Sequence, residues 1–449
     1  MLRKLNPPQI IVVSFLFAIL VGTVLLSMPF AQAKGMRTPL IDSLFTATSA
    51  TCVTGLTVRD TGAYFSGFGK LIILTLVQMG GLGIMTFSTL FAILLGRKLT
   101  IKHDVVIQRT MAPNNVQNLS TLIKYILFIT IGIEFLGALA LALRWIKVSD
   151  WSLGEICANS IFHAVSAFCN AGFSLFSASF TAFLGDPYIN VIMILLVLIG
   201  GIGFIVVLEL PRMVKRQPFR RVSIQAKVAL TVSFSLIIIG AVAFFLVERN
   251  NALNGLSSGE KILGSIFQSV TTRTAGFNTL DIGNLAVPTL CFFIILMFIG
   301  ASPGSTGGGI KTCTFGVIIA TVFSMLKNRD RVSMFKRTIP KEVVRKSLVI
   351  LFLAVAWIFV AVILLTLVEY RKSSLMGSFF LRMIFEIVSA FGTVGLSTGI
   401  TPTLSVAGKL IVIVTMFAGR LGPLTLALAI ALQEDRTTYT YPEERIMIG

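Results

Sequence analysis

Four short segments of the chain are rich in small residues and end in the same way. They are residues 49–56 (SATCVTGL), 166–173 (SAFCNAGF), 270–277 (VTTRTAGF) and 389–396 (SAFGTVGL). Each follows an apolar stretch shorter than the ~20 residues that cross a bilayer and precedes a longer one. Rings of backbone carbonyls can replace the water shell of an alkali cation, and glycine adopts the backbone angles that consecutive inward carbonyls require. The spacing therefore predicts an ion filter built from four turns of one chain.

The glycine of each turn is the predicted cation ligand, and its neighbours complete the filter. The candidates are Gly55, Gly172, Gly276 and Gly395, with Thr51, Cys52, Val53, Thr54, Cys169, Asn170, Ala171, Arg273, Thr274, Ala275, Gly392, Thr393 and Val394. Small-residue packing between membrane helices is the alternative interpretation of such motifs. Four motifs in register after half-length helices favour a pore, because irregular backbone at membrane depth must line something wet. No TVGYG segment occurs, so the residues alone do not establish discrimination between K⁺ and Na⁺.

Composition places the chain in a membrane. Its 449 residues are 55% hydrophobic and 13% charged, with a mean hydropathy of +0.90, whereas soluble domains carry about 25% charged residues. The predicted spans are 9–29, 68–95, 120–143, 187–210, 224–247, 285–300 continuing to 326, 343–368 and 405–432. The first run lacks a small-residue cleavage site, so we interpret it as a retained span rather than a signal peptide.

The net charge of +19 is explained by topology. Basic residues concentrate at Arg3-Lys4, at 97–109, at 212–227 and at 327–346, which lie on one side if the spans alternate. The positive-inside rule then places these loops and both termini in the cytoplasm. No nucleic-acid partner is needed to explain the charge, although a cytoplasmic protein docking on the basic loops remains an alternative. The cysteine spacing predicts neither disulfides nor a structural metal.

A second landmark supports a fourfold repeat. The filter glycines are about 104 to 119 residues apart, and Gly-rich segments at 80–83, 200–203, 300–304 and 419–422 follow them by about 24 to 28 residues. The predicted fold class is an all-α membrane protein of four tandem M1-P-M2 repeats (span, short pore helix, span) around a central pore with pseudo-fourfold symmetry. The predicted bounds are 1–100, 101–222, 223–335 and 336–432, with a tail at 433–449. The pore helices are expected at 40–50, 155–168, 259–271 and 375–390.

The third M2 segment is interrupted by a stretch that cannot remain helical. One proline and several glycines fall within 300–312, which predicts a polar loop at membrane depth below the filter. Such a loop would obstruct the permeation path and act as a gate. The gate candidates are Ser302, Pro303, Gly304, Ser305, Thr306, Gly307, Gly308, Gly309, Lys311 and Arg420. The segment approaches a phosphate-binding loop pattern but follows a span instead of a β-strand, which argues against nucleotide binding.

Arg420 and Lys311 are charges within apolar segments. Arg420 lies where the other repeats have Gly81, Gly201 and Ala301, and an intramembrane charge normally faces a cavity or a partner. We expect its guanidinium to hold loop carbonyls within 302–309. The alternative is an ion pair with Glu134 or Glu386. Lys311 is interpreted as the lower hinge of the loop, with snorkelling to the cytoplasmic surface as the alternative.

These residues resemble the membrane subunits of the Trk/Ktr/HKT superfamily of K⁺ transporters, and the chain is similar in length and start to the bacterial Ktr type. The resemblance spans residues 9–432. It implies K⁺ coordination at Gly55, Gly172, Gly276 and Gly395, a gating loop in the third M2 beside an arginine, and a homodimer with one pore per chain. It also implies a cytoplasmic ring of RCK-type nucleotide-binding subunits and the plasma membrane of a bacterium. The resemblance further implies that glycine at all four filter positions, with no serine at Gly55, favours K⁺ over Na⁺.

Other functions remain as alternatives. The same fold could transport Na⁺, or Na⁺ could serve as an activator or coupling ion for K⁺. A multi-pass membrane enzyme needs paired acids or a His/Asp set at one membrane face, and the acidic residues here are scattered. An inverted-repeat transporter is disfavoured because every glycine turn follows a segment that enters from the same side. The expectation is a non-enzyme without a cofactor, with K⁺ as the transported ion and the lipid bilayer as its environment.

Overall fold

The computed structural model describes residues 7–33, 36–82, 119–204, 206–209, 222–370 and 376–430. Within these ranges the chain is mostly helical. The predictions for the basic segments at 97–109 and 212–221, for Arg3-Lys4 and for the tail at 433–449 lie outside the described residues.

The described chain consists of four successive stretches, and each stretch begins with one long apolar helix. These helices are α1 (Pro7–Ser27), α5 (Leu119–Val148), α8 (Ile224–Glu248) and α12 (Lys341–Glu369), here called the long helices. Each is long and apolar enough to cross a membrane. Large apolar side chains such as Phe128 and Phe352 are exposed on them, as expected for surfaces that face lipid.

A short helix follows each long one. These short helices are α2 (Leu40–Thr51), α6 (Leu153–Phe168), α9 (Ser258–Thr271) and α13 (Met376–Gly392). Their bounds lie within three residues of those expected for pore helices. In α6 and α9 the start is set by a capping box, in which Ser152 and Ser257 exchange hydrogen bonds with Glu155 and Glu260. These hydrogen bonds lower the pKa of both carboxyl groups, Glu155 mainly through the Ser152 backbone and Glu260 mainly through the Ser257 hydroxyl.

The helices that follow the short ones are here called the second helices, and the third and fourth of them are each made of two helices. The second helices are α4 (Gly67–Gly81), α7 (Pro187–Ile202), α10 (Val287–Phe298) with α11 (Thr312–Leu326), and α14 (Val406–Leu421) with α15 (Pro423–Ile430); a one-turn helix α3 (Thr61–Tyr64) precedes α4. The segment predicted as one span over 405–432 is not one straight helix, because α14 and α15 meet at 94°. Gly422 between them has φ +85 and Pro423 follows, so the helix cannot continue. Gly203, with φ +98, similarly follows the end of α7.

The glycine-rich landmark in three of the second helices has a packing cause. A Cβ atom built on Gly80, Gly200 or Gly419 would collide with the carbonyl oxygen of Thr51, Phe168 or Phe391, respectively. The second helix therefore contacts the end of the short helix backbone to backbone, which only glycine allows. Between α10 and α11, the corresponding Gly300 lies instead against Gly308, which belongs to the loop that joins these two helices.

A short β-hairpin among the described residues departs from the expected all-α fold. Residues Ser333–Met334 (β1) and Arg337–Thr338 (β2) pair as an antiparallel hairpin between α11 and α12. Phe335 and Lys336 at its tip have φ +49 and +62, as a two-residue hairpin turn requires. The expectation of an all-α chain missed this hairpin because two residues per strand carry no readable alternation.

Candidate ion filter and gate

The four turns after the short helices share one backbone conformation despite different sequences. In each, the glycine and the residue two positions before it have positive φ. The pairs are Val53 (+56) and Gly55 (+90), Asn170 (+57) and Gly172 (+69), Thr274 (+68) and Gly276 (+80), and Thr393 (+50) and Gly395 (+91). Three of the non-glycine members are β-branched, for which this region is strained. The same unusual conformation at the equivalent position of four turns, strained in three of them, points to a function for the conformation.

The four glycines contact one another in a closed cycle. A Cβ on Gly55 would lie 2.9 Å from Gly172 Cα, one on Gly172 would lie 2.9 Å from Gly276 Cα, one on Gly276 would lie 3.3 Å from Gly395 Cα, and one on Gly395 would lie 3.0 Å from Gly55 Cα. The same positions meet the carbonyl oxygens of Ala171, Ala275, Val394 and Thr54. The four turns thus meet backbone to backbone, with no space for a side chain on any glycine. The C-terminal, partially negative ends of the four short helices lead directly into these turns.

Hydroxyl groups on the short helices tie down the turns. Ser166, Thr271 and Ser389 each donate to the carbonyl of the residue after the filter glycine, at 2.7, 2.5 and 2.6 Å. Ser49 instead accepts from the N–H of Gly55 at 3.1 Å. Sequence reasoning quoted these residues but gave them no role. Their signal was a hydroxyl residue five or six positions before every filter glycine.

His163 and Glu386 anchor the chain just beyond two of the filter glycines. Each lies nine residues before its glycine and is fully buried. Nε2 of His163 accepts from the N–H of Leu175 at 3.2 Å, and Oε1 of Glu386 accepts from the N–H of Thr398 at 3.0 Å. Both also bond the serine two residues after the glycine, Ser174 at 3.1 Å and Ser397 at 2.6 Å. Sequence reasoning missed this role of both residues, because different residue types fill one structural position.

The side chains of the predicted filter residues lie in different surroundings. The hydroxyls of Thr51 and Thr54 are buried and have no hydrogen-bond partner in the described structure. The Asn170 amide lies 3.3 Å from Thr274 Oγ1. Cys169 instead points to Glu134 (3.7 Å) behind the turn. Cys52 is buried at the end of α2, and Gly392 is the last residue of α13.

A cavity of about 680 Å³ opens above the four turns. Gly55, Gly172, Gly276 and Gly395 all line it, and so do Asp60 and Asp281. Each aspartate caps a short helical turn, Asp60 through the N–H groups of Gly62 and Ala63 and Asp281 through that of Gly283. The cavity is wide and polar, and its floor is the cycle of glycines.

The segment predicted as a gate is a closed loop below the turns. Residues 299–311 lie between α10 and α11, and the Gly300 N–H donates to the Ile310 carbonyl at 2.9 Å. The expected interruption of the helix is therefore present. Ser302 and Thr306 are fully buried, and Gly308 donates to Thr393 Oγ1 of the fourth turn at 2.9 Å. The loop packs directly against the filter.

Arg420 connects the centre of this loop to two other helices. Its guanidinium donates to the carbonyls of Thr306 in the loop and of Gly80 in α4, and only 2% of the residue is exposed. Glu134 accepts from Gln78 at 3.1 Å, and Glu386 accepts from the residues after its own turn. The geometry thus favours the loop-carbonyl interpretation of Arg420 over pairing with either carboxylate. Lys311 Nζ also donates into the loop, to the Gly307 carbonyl at 2.5 Å.

Comparison with known proteins identifies the family. The TrkH family model, described as "Cation transport protein", matches residues 3–439. The chain belongs to this family. It is 39% identical over 448 residues to the "Ktr system potassium uptake protein B" of Bacillus subtilis, covering 99% of this chain and 97% of that protein. It is 36% identical over 450 residues to the "Potassium/sodium uptake protein NtpJ" of Enterococcus hirae, covering 100% and 98%.

The fold agrees with a solved member of the family. The structure of the potassium transporter TrkH from Vibrio parahaemolyticus matches with a TM-score of 0.69 at 20% identity, over 95% of this chain and 86% of that one. The TrkH-family chain is thus a multi-pass membrane protein of cation transport with a mostly helical, TrkH-like fold. Membership in a cation transport family fits the expectation that it is not an enzyme.

Proposed function

We propose that this chain is the ion-conducting subunit of a K⁺ uptake system. In this proposal four M1-P-M2 repeats surround one central pore with pseudo-fourfold symmetry, and K⁺ passes through a filter at Gly55, Gly172, Gly276 and Gly395. The observation that carries the proposal is the closed cycle of these glycines, each in the same backbone conformation. K⁺ loses its water in a filter, and backbone carbonyls of the four turns are the oxygen ligands that would replace it.

The surroundings of the turns suit a cation. The short helices direct their negative ends at the turns, and the cavity above carries Asp60 and Asp281. Carboxylates at the mouth of a pore raise the local concentration of cations. The relative from Bacillus subtilis, named as a potassium uptake protein, supports K⁺ as the ion.

The loop of residues 299–311 is the proposed gate, with Arg420 as the residue that keeps it closed. The guanidinium bonds Thr306 of the loop, and its charge lies directly below the filter turns. A cation at that place repels permeant ions as well as holding the loop. Movement of the loop away from Arg420 is the proposed opening step.

Partners and location extend the proposal. A subunit of this kind would work in the plasma membrane of a bacterium, with both termini in the cytoplasm, as a homodimer on an RCK-type nucleotide-binding ring. The word "system" in the name of the Bacillus subtilis relative supports a further subunit. A second candidate function is transport of Na⁺, or of K⁺ coupled to Na⁺, which the name of the Enterococcus hirae relative favours.

The test is uptake of ⁸⁶Rb⁺ and ²²Na⁺ into liposomes that contain the purified full-length chain. We expect Rb⁺ to enter faster than Na⁺. If the chain alone takes up neither ion, the uptake is measured again with an RCK ring added. Preferential Na⁺ uptake would favour the second candidate. Uptake of neither ion, with and without the ring, would overturn the pore.

A further inference from the structure

Arg273 was predicted as a filter residue, yet its side chain leaves the filter. The guanidinium donates to the carbonyl of Ser233 on α8 at 3.2 Å and to the carbonyl of Gly300, where the gate loop begins, at 3.3 Å. Only 7% of the residue is exposed. Within the described part of the chain both hydrogen bonds end on backbone carbonyls and no ion pair involves Arg273. Loss of either bond would leave a buried charge short of a partner, which is strongly unfavourable.

Gly300 belongs to the neck of the loop, here defined as residues 300–301 at its beginning and 310–312 at its end. The Gly300 N–H donates to Ile310 at 2.9 Å, and the Thr312 N–H donates to Ala301 at 3.2 Å. These bonds join the beginning of the loop to its end. The neck is thus held by its own backbone and by Arg273, all within the third stretch of the chain.

The part of the loop between the two sides of the neck, residues 302–309 and here called the tip, is attached differently, because several of its bonds run to other parts of the molecule. Ser302 N–H donates to Gly201 at 3.0 Å, and Gly309 N–H donates to Gly419 at 3.4 Å. Arg420 bonds Thr306 but also Gly80 of α4. If the tip moved, Arg420 would keep the Gly80 carbonyl, and if the neck moved, Arg273 would keep the Ser233 carbonyl. The two neck bonds join the beginning of the loop to its end and can persist when the loop moves, whereas the tip bonds join it to neighbouring helices and must break.

We propose that Arg273 is the fixed anchor of the gate and couples it to the filter. The loop opens by pivoting about its neck, while Arg273 keeps the neck in place relative to the third filter turn. The coupling path is short, because the Arg273 N–H is bonded to Val270 at the end of α9 (3.1 Å) and the next residue is Thr274, with φ +68. Arg273 is a positioning residue in this inference, which rests on the proposed pore and gate.

Two variants of Arg273 and one of Arg420 test the coupling. Initial rates of ⁸⁶Rb⁺ and ²²Na⁺ uptake are measured in liposomes with the full-length wild type, Arg273→Gln, Arg273→Lys and Arg420→Gln. We expect Arg273→Gln to lower the Rb⁺/Na⁺ rate ratio by about tenfold, the effect of losing one hydrogen bond from a charged donor. Arg273→Lys keeps the charge but reaches one carbonyl at a time, so its ratio should be intermediate. Arg420→Gln should raise the Rb⁺ rate with an unchanged ratio.

Other outcomes overturn the inference. If Arg273→Gln raises the Rb⁺ rate at a wild-type ratio, Arg273 is only a second tether of the loop. If neither rate nor ratio changes, the anchor has no role. Should Arg273→Gln not be recovered as a monodisperse protein, Arg273→Lys decides, and a wild-type ratio in that variant refutes the coupling. Failure of the underlying pore would show separately, as absent uptake in both the wild type and Arg420→Gln, with and without the RCK ring.

Discussion

The turns proposed as the filter and the loop proposed as the gate are both irregular segments between membrane helices, but they are built in opposite ways. The filter consists of four copies of one turn, in which glycine backbones contact each other directly. The loop at 299–311 occurs once and is attached by separate hydrogen bonds, two of them from Arg420 and Lys311. A filter must keep its geometry in every conformational state, whereas a gate must exchange its contacts. The packing of the two regions follows that difference.

The strain in the two regions is also distributed differently. Val53, Thr274 and Thr393 hold positive φ angles in the filter, which persist only where the surrounding structure over-determines them. In the loop, positive φ falls on Gly304 and Gly309, where it is not strained. The filter therefore stores strain within a rigid ring, and the loop is relaxed and free to rearrange once its tethers break.

The largest expected effect tests the rigidity of the filter. Serine at Gly276 would place a Cβ 2.6 Å from the Val394 carbonyl at φ +80, which costs about 3 kcal/mol or more. Gly276→Ser should lower Rb⁺ uptake by about a hundredfold. The matched control is Gly399→Ser, since Gly399 has φ +88 but no atom within 4 Å of a built Cβ. Equal loss of uptake in both variants would show that backbone angle alone, and not the contact between turns, is responsible.

The next effect tests whether the loop is held by removable bonds. Arg420→Gln removes a hydrogen bond from a charged donor to Thr306, so we expect Rb⁺ uptake to rise by about tenfold. Lys409→Gln is the control, because Lys409 lies on the same helix but pairs with Asp42 at 2.6 Å. Uptake that rises in the control, or falls in Arg420→Gln, would contradict the gate assignment.

A smaller effect concerns the anchors behind the filter. His163→Leu removes the acceptor for the Leu175 N–H, so the second turn should loosen and the Rb⁺/Na⁺ ratio should fall by about fivefold. His163→Gln offers a carbonyl oxygen in its place and should restore part of the ratio. A loss of thermal stability in His163→Leu with an unchanged ratio would mean that His163 serves folding alone.

The smallest effect is a pH dependence far from both regions. Because the folded state depresses the pKa of Glu260 through Ser257, this capping box stabilises the protein above the unfolded pKa of about 4.3 and is lost as pH falls through the folded pKa. Ser257→Ala should therefore lower the Tm slightly at pH 7, and the difference should shrink at an acid pH below the depressed folded pKa of Glu260. Thermal unfolding in detergent at both pH values measures it, and a difference that grows in acid would refute the assignment.

Much of the architecture was predictable because its signals are local. Ser152 with Glu155 and Ser257 with Glu260 mark helix starts, and the short helices were placed within three residues. The break between α10 and α11 was predicted from the proline and glycines in 300–312. The bend at Gly422 was missed, although Gly422-Pro423 carried the signal. The repeat boundaries and the roles of the filter and gate residues stay predictions.

Side-chain destinations were much less predictable. Arg273 stands within a filter segment, yet its guanidinium contacts Ser233 and Gly300, 40 and 27 residues away. Arg420 was expected to hold loop carbonyls, but its second partner, Gly80, is 340 residues away in the chain. Neither choice follows from the residues that flank the arginine, because each depends on which helices pack beside it.

The sequence by itself determined where helices begin and break and where the backbone needs glycine, since capping, span length and steric freedom act over a few neighbouring residues. Only the tertiary structure decided the cyclic contact of the four glycines, the equivalence of His163 and Glu386, and the carbonyls that receive Arg273 and Arg420. Those features join residues far apart in the chain. Their cause is the packing of helices against one another, in which a buried polar group bonds whatever partner the neighbouring helix presents.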